Sequence, residues 1–369
     1  MLGANFTQQH SITFKQHKDR PYLRLTIYIL ITSLLLYWQF IFGDKILAYT
    51  DWGYDTFHQY VPNYEFVVNS IKNGSLSQYN FIYGLGTSSF DMFGRLADPF
   101  SIIAVLIGTV FGSQYIGACM VFVQIGKILS AGLFCFYYLG LFKFSRHSSM
   151  LVAYIYAFSG YMMTAGQHYF FSISPVITML LLIMIEKTLR EKKPLVYYLG
   201  ISGAVAWFCF AGVQGALAGL TFCAIYFLVR VITIYGKNPK TLIKKTGGCA
   251  LFVVNGIFFS CFLFLPSAMQ ITHSTRLSQA SLMSQIAASF SMADISIIKS
   301  GFLRLFSNSI EGTVNSWNGG TYHWEMFSYF FSAIFVLIIV QYLWITFAEK
   351  YSKKIKVFRI VPVAVFIFT

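Results

Sequence analysis

The sequence predicts an all-α polytopic membrane protein, and three observations carry that prediction. The 369-residue chain is 56% hydrophobic and 19% aromatic but only 11% charged, about half the charged fraction of a soluble domain. Its apolar residues are gathered into runs near the ~20 residues, sometimes ~17, that a membrane-crossing helix needs. Its basic residues fall between those runs in alternation, as the positive-inside rule requires.

Taken in order, spans are expected near 23–43, 115–142, 148–163, 170–186, 194–213, 215–235, 247–269 and 326–348. A ninth begins near 357 and is still open at Thr369, as if the chain ended inside a helix. The tail 1–24, with Lys15, Lys18, Arg20 and Arg24, reads as cytoplasmic. The run after it is long for a signal peptide core and lacks a small-residue cleavage site, so it reads as the first span. The remainder, 25–369, reads as one transmembrane domain.

With the N-terminus cytoplasmic, the inner segments 1–24, 143–147, 186–193, 230–246 and 349–359 hold 20 of the 27 Lys and Arg residues. The outer segments hold nine of the 13 acids. The formal charge of +14 is thus a membrane-sidedness signal, and no nucleic-acid partner is implied. All of 44–114 must then lie outside. Its apolar run Pro99–Phe111 is too short to span and reads as a half-inserted or interfacial helix. A second large outer loop covers 270–325. Cys119, Cys135, Cys209, Cys223, Cys249 and Cys261 lie in or beside apolar runs without metal-ligand spacing, and read as small buried hydrophobes. Gly215 and Gly219 form a GxxxG pattern suited to close helix packing.

The most informative stretch is 51–62, the first long polar interruption. Asp51 and Asp55 are four residues apart, so a helix would place both carboxylates on one face with His58 and Gln59 close by. Phe57, Tyr60, Val61, Tyr64, Val67, Val68 and Ile71 follow at three- and four-residue spacing, and Asn73-Gly74 supplies a stop. An amphipathic surface helix with acids at its leading end results. A carboxylate with its pKa raised at a low-dielectric rim can take a proton from an attacking hydroxyl. The plainer alternative is two solvated acids, or Asp55 as a helix cap.

Lys127 lies near the middle of the 115–142 span, three residues after Gln124. A charge there costs about 2.5–3.5 kcal/mol on insertion scales, so a partner or watery cavity is expected. It either faces a lipid phosphate or catalytic acid, or ties helices together, or has shed its proton. Arg276, beside His273, suits bidentate phosphate binding at headgroup level, although an ordinary interfacial Arg would look the same. Arg95, Asp98 and His168 also fall at the outer surface. The histidines are too scattered to define a metal site. Asp51 and Asp55 could hold a divalent cation, Mg or Mn, with waters, but their spacing does not demand one. There is no P-loop, no GxSxG and no zinc signature.

Gly53-Tyr-Asp55-Thr-Phe-His-Gln59-Tyr60-Val-Pro62 resembles the G-x-D-x-x-x-Q-Y-x-P opening of the bacterial YfhO membrane-protein family. Tyr83-Gly-Leu-Gly86, Asp98-Pro-Phe100, Lys127 with Leu129-Ser-Ala-Gly132-Leu133, Tyr156-Ala-Phe-Ser-Gly160-Tyr161, and Pro266 with Ser274-Thr-Arg276 extend the likeness in order along nearly all the chain. The resemblance implies a GT-C-like helix bundle with amphipathic helices in the first extracellular loop. It also implies a catalytic acid in that loop and a polyprenyl-phosphate sugar donor. Such proteins are similar to enzymes that decorate teichoic acid or other envelope glycopolymers of Gram-positive bacteria. On this alignment Asp55 takes the acid position, with Gln59 and Tyr60 beside it, and Asp51 is a second acid outside the core match. The family's members usually run longer, with more helices.

The expected function is a cell-membrane glycosyltransferase with its active site on the extracellular face. Asp55 or Asp51 would serve as base, with His58, Gln59, Tyr60, Arg95, Asp98, Lys127, His168 and Arg276 holding substrate. The alternatives are a transporter or lipid-intermediate flippase, with Gln124 and Lys127 lining a path, and a non-catalytic scaffold. Ionisable residues concentrated in two outer loops favour surface chemistry.

Overall fold

The computed structural model describes residues 20–48, 56–75, 77, 79–81, 86–89, 93, 96, 98–272, 303 and 333–348. They are predominantly helical. Helix α1 (Pro21–Ile41) starts on Pro21, whose fixed φ suits a first helical position. It buries a single stripe at four-residue intervals, Leu25, Ile29, Ser33 and Tyr37.

A one-turn π-helix, Thr56–Tyr60, leads directly into α2 (Val61–Lys72). The surface helix expected from Asp55 to Ile71 thus begins as a π-turn, and it ends as read, with Asn73 capping and Gly74 at φ +62°. A short antiparallel pair follows, β1 (Tyr79–Asn80) with β2 (Thr87–Ser88), registered Tyr79 to Ser88. Helix α3 (Pro99–Phe111) comes next; Asp98 caps it and Pro99 occupies its first turn. Gly112, at φ +122°, turns the chain through a 3₁₀ turn into α4 (Ile116–Gly140).

Helices α3 and α4 form an antiparallel hairpin. A Cβ on Gly108 would meet Ile116 at 3.1 Å, and one on Gly126 would meet the Phe100 ring at 3.0 Å. The start of α3 therefore lies beside the middle of α4.

The expected span 148–163 is instead interrupted. Helix α5 (Arg146–Ala157) stops at Phe158, and Ser159 caps a new short helix, α6 (Gly160–Ala165). A 3₁₀ turn, Gly166–His168, and a left-handed Tyr169 (φ +59°) then lead to α7 (Ile173–Arg190). A capping serine inside an apolar run offers the backbone an alternative bond, which is why the run breaks there.

Helices α8 (Leu195–Ala211), α9 (Val213–Tyr235) and α10 (Pro239–Thr272) follow. Gly212, at φ +117°, makes the turn between α8 and α9. Gly219 of the GxxxG pattern lets α9 approach Phe208 so closely that a Cβ would lie 2.5 Å from its ring. Helix α10 starts earlier than the 247–269 expected and carries Pro266 within it. Helix α11 (Ala333–Ala348) lies in the expected eighth span; the ninth lies outside the described residues.

Among the described residues, three helices are long and apolar enough to cross a membrane: Pro21–Ile41, Ser113–Gly140 and Pro239–Pro266. The apolar helices Pro99–Phe111, Leu195–Ala211, Gly219–Tyr235 and Ile338–Ala348 are shorter. Two apolar cores result. The larger joins α1, α4, α5 and α7 to α10. The smaller joins Tyr60, Tyr64, Val67 and Val68 to α3, the first half of α4, Tyr169 and Phe170. The six cysteines are buried or half-buried free thiols.

Candidate functional site

Gln124 and Lys127 lie one turn apart on α4 and together gather the broken segment between α5 and α7. Gln124 donates to the Met162 carbonyl at 2.8 Å and accepts from the Ser172 hydroxyl at 2.8 Å. A Cβ on Gly166 would sit 2.2 Å from the Gln124 amide, so glycine is required for that approach. Lys127 has no exposed surface, and its ammonium donates to the Tyr169 carbonyl. The sequence predicts a buried partner for this lysine, and the partner is a backbone carbonyl.

Tyr169 passes that anchorage on. Its hydroxyl donates to the Leu47 carbonyl at 2.6 Å, and its ring lies 6.3 Å from Tyr60 and 6.2 Å from Tyr64. Tyr60, at the end of the π-helix, sets its ring edge-on to Phe170 at 4.7 Å. Its hydroxyl lies 3.3 Å from Nδ1 of the buried His168. π-Turns are frequent at functional sites because they re-aim side chains. This one directly follows Asp55 in sequence and turns Tyr60 inward, while His58 and Gln59 are exposed.

The start of α3 closes the cluster. The Asp98 carboxylate accepts from the Phe100 and Ser101 amides at 2.9 and 3.1 Å, and from the Ser101 hydroxyl. Tyr64 in turn donates to Ser101 Oγ at 2.7 Å. Burial, with the Asp98 charge nearby, pushes the Tyr64 phenol well above its usual range, so it stays a donor. Asp98 is within electrostatic reach of Lys127, yet no direct ion pair joins them among the described residues. Asp98 thus acts as a buried cap, a role its place before Pro99 signals.

Of the ten residues singled out from sequence, four converge here: Tyr60, Asp98, Lys127 and His168. His58 and Gln59 lie on the same π-turn but face away from the buried cluster. Asp51, Asp55, Arg95 and Arg276 lie outside the described residues. No group of three or more metal-ligating side chains occurs among the described residues.

A second polar constellation was not anticipated. Glu186, fully buried on α7, accepts from Arg230 Nε at 2.5 Å, Arg230 Nη2 at 3.0 Å, Arg190 Nε at 2.8 Å and the Tyr226 hydroxyl at 2.5 Å. Both guanidinium groups lie over the Phe142 ring, and Arg190 also donates to the Leu141 carbonyl. The signal was present in sequence as the i, i+4 pair Glu186 and Arg190, read there as the edge of a charged loop.

The Lys127 cluster combines a fully buried ammonium, a buried imidazole and two phenols. An ammonium has three donors, of which one is used among the described residues. Such a group can hold an anionic oxygen from a ligand that enters the cluster. No protein-family model matches the chain, and no curated protein or solved structure matches it either.

Proposed function

We propose that the chain is a multi-pass membrane glycosyltransferase of the YfhO type, with a GT-C-like bundle. It transfers a sugar from a polyprenyl-phosphate donor to an extracellular glycopolymer such as teichoic acid. The observation that carries this reading is the docking of the Asp55 motif. Thr56 and Tyr60, which follow that acid in sequence, are buried, and Tyr60 packs on the cluster of His168, Tyr169 and Lys127. The half-length helix α3 starts in the same place, so its capping acid Asp98 comes within electrostatic reach of Lys127, halfway along a membrane-length helix.

In this mechanism Asp55, with Asp51 as the second acid, takes the proton from an acceptor hydroxyl. The oxygen attacks the anomeric carbon, the bond from that carbon to the phosphate oxygen breaks, and polyprenyl phosphate departs with the electron pair. Direct displacement inverts the anomeric centre. Lys127 and Arg276 stabilise the charge that develops on the phosphate. A divalent cation, if used, is held by Asp51 and Asp55.

Complementation of a deletion strain tests the reading, with sugar on purified envelope polymer measured by mass spectrometry. Asp55→Asn, present in the membrane fraction at wild-type level, is expected to leave the polymer bare. Normal decoration by Asp55→Asn would remove the proposed base. A transporter or flippase is the second reading. It is favoured by the broken helices α5 and α6 beside Lys127, because interrupted helices surround substrate in many transporters. It predicts normal glycosyl transfer in the presence of Asp55→Asn but lost movement of the lipid-linked sugar with Lys127→Met.

A further inference from the structure

A cavity of about 450 Å³ opens between the far end of α2 and the β1–β2 hairpin. That volume lies within the ~300–1,000 Å³ of small-ligand pockets. Its lining includes Ser70, Ser75, Ser77 and Asn80 together with the aromatic residues Tyr79 and Phe81, and of the polar four Ser70 and Asn80 are buried. Among the described residues its lining carries no charged side chain.

The aromatic pair is held in place. The hydroxyl end of Tyr79 lies against Gly86, where a Cβ would meet the hydroxyl oxygen at 2.4 Å and the ring carbons beside it at 2.7 and 2.8 Å, and Gly86 takes φ +102°, a conformation glycine allows. Phe81 stands edge-on to Tyr79, with ring centres 4.8 Å apart. Ser77 donates to the Tyr79 carbonyl at 2.8 Å and ties down the strand. Both rings nevertheless keep exposed surface, and Phe81 is 81% exposed. A fixed, exposed aromatic edge beside neutral hydroxyls and an amide complements a pyranose, which has apolar C–H faces and a rim of hydroxyls.

We infer that this cavity is a binding subsite for a neutral sugar ring of the glycan acceptor, with Tyr79 and Phe81 as its stacking platform. The acceptor role rests on the glycosyltransferase reading. Placement favours acceptor over donor: Ser70 lies ten residues beyond Tyr60, about 15 Å along a helix, so a sugar here is well removed from the cluster around Tyr60. A polymeric acceptor can reach both places, whereas the single sugar of a lipid-linked donor cannot.

The test is saturation-transfer difference NMR on the full chain in detergent, with chitotriose and maltotriose as neutral probes and polyglycerol phosphate as the anionic one. Wild type is expected to bind at least one trisaccharide. Loss of ring stacking in Phe81→Ala is expected to weaken it about ten-fold, with Phe81→Trp restoring it. Asp55→Asn is expected to bind as wild type does. Where transfer is measurable, Tyr79→Ala and Phe81→Ala raise KM for the acceptor and leave KM for the donor unchanged. Absence of trisaccharide binding, binding only of polyglycerol phosphate, or undiminished binding in a Tyr79→Ala/Phe81→Ala double variant would overturn the subsite. Quenching of the hairpin by lipid-borne spin labels without sugar binding would also overturn it, and would mark the pair as a membrane anchor. Normal decoration by Asp55→Asn with intact sugar binding would remove the proposed base and leave the subsite standing.

Discussion

The two buried polar constellations, around Lys127 and around Glu186, have opposite designs. Glu186 is saturated: two guanidinium groups and a phenol converge on one carboxylate, and an aromatic ring lies beneath both arginines. Lys127 is sparingly satisfied, with one backbone carbonyl as acceptor among the described residues and its nearest acid occupied in capping a helix. They lie about 21 Å apart along α4, taking Lys127 and Leu141 as markers and ~1.5 Å of rise per residue. A saturated network serves to fix α4, α7 and α9 together. On the proposed function, the under-satisfied buried Lys127 is retained for what it can bind. That proposal gives structure to one end and chemistry to the other.

The largest effect that sharpens this contrast belongs to Glu186→Ala. Removing the shared acid leaves two arginines partly buried without a counter-charge, and breaking such a pair costs about 3–5 kcal/mol. Thermal unfolding in detergent is expected to show a large fall in midpoint. Next is Gly166→Ala, which forces a Cβ against the Gln124 amide and costs about 1–3 kcal/mol through overpacking. It is expected to lower the midpoint moderately, and pairing it with Gln124→Ala should recover most of the loss. Ser101→Ala comes third. It removes the hydroxyl between Tyr64 and Asp98 and leaves the buried Tyr64 phenol unbonded, at about 1–3 kcal/mol. Tyr60→Phe is smaller, about 1 kcal/mol for one neutral hydrogen bond to His168. Transfer activity is expected to fall in this variant more than stability does.

Much of this arrangement was legible as parts and not as a whole. The 13-residue run after Asp98 signalled a helix too short to span, and the helix Pro99–Phe111 has that length. Asn73-Gly74 marked the end of α2 because Gly74 takes a left-handed φ. Tyr60, Asp98, Lys127 and His168 were each notable for residue type, yet their meeting was not visible. It depends on a break near Ser159, hidden inside an apolar run, and on a left-handed Tyr169 at the end of the turn that follows. The β1–β2 pair escaped because two-residue strands are too short to show alternation. Glu186 escaped because its second partner, Arg230, is 44 residues away.

Lys127→Met tests the central contrast most directly. Methionine loses the bond to the Tyr169 carbonyl, about 1–3 kcal/mol for an orphaned buried group. It also removes the cost of burying an ammonium, which is several kcal/mol, so the two terms nearly offset. The measurement is the unfolding midpoint of purified Lys127→Met alongside sugar transfer in the complemented strain. An unchanged midpoint with transfer abolished is the predicted result. A midpoint that falls as far as that of Glu186→Ala, or transfer that continues at the wild-type level, would contradict the division between a structural end and a chemical one.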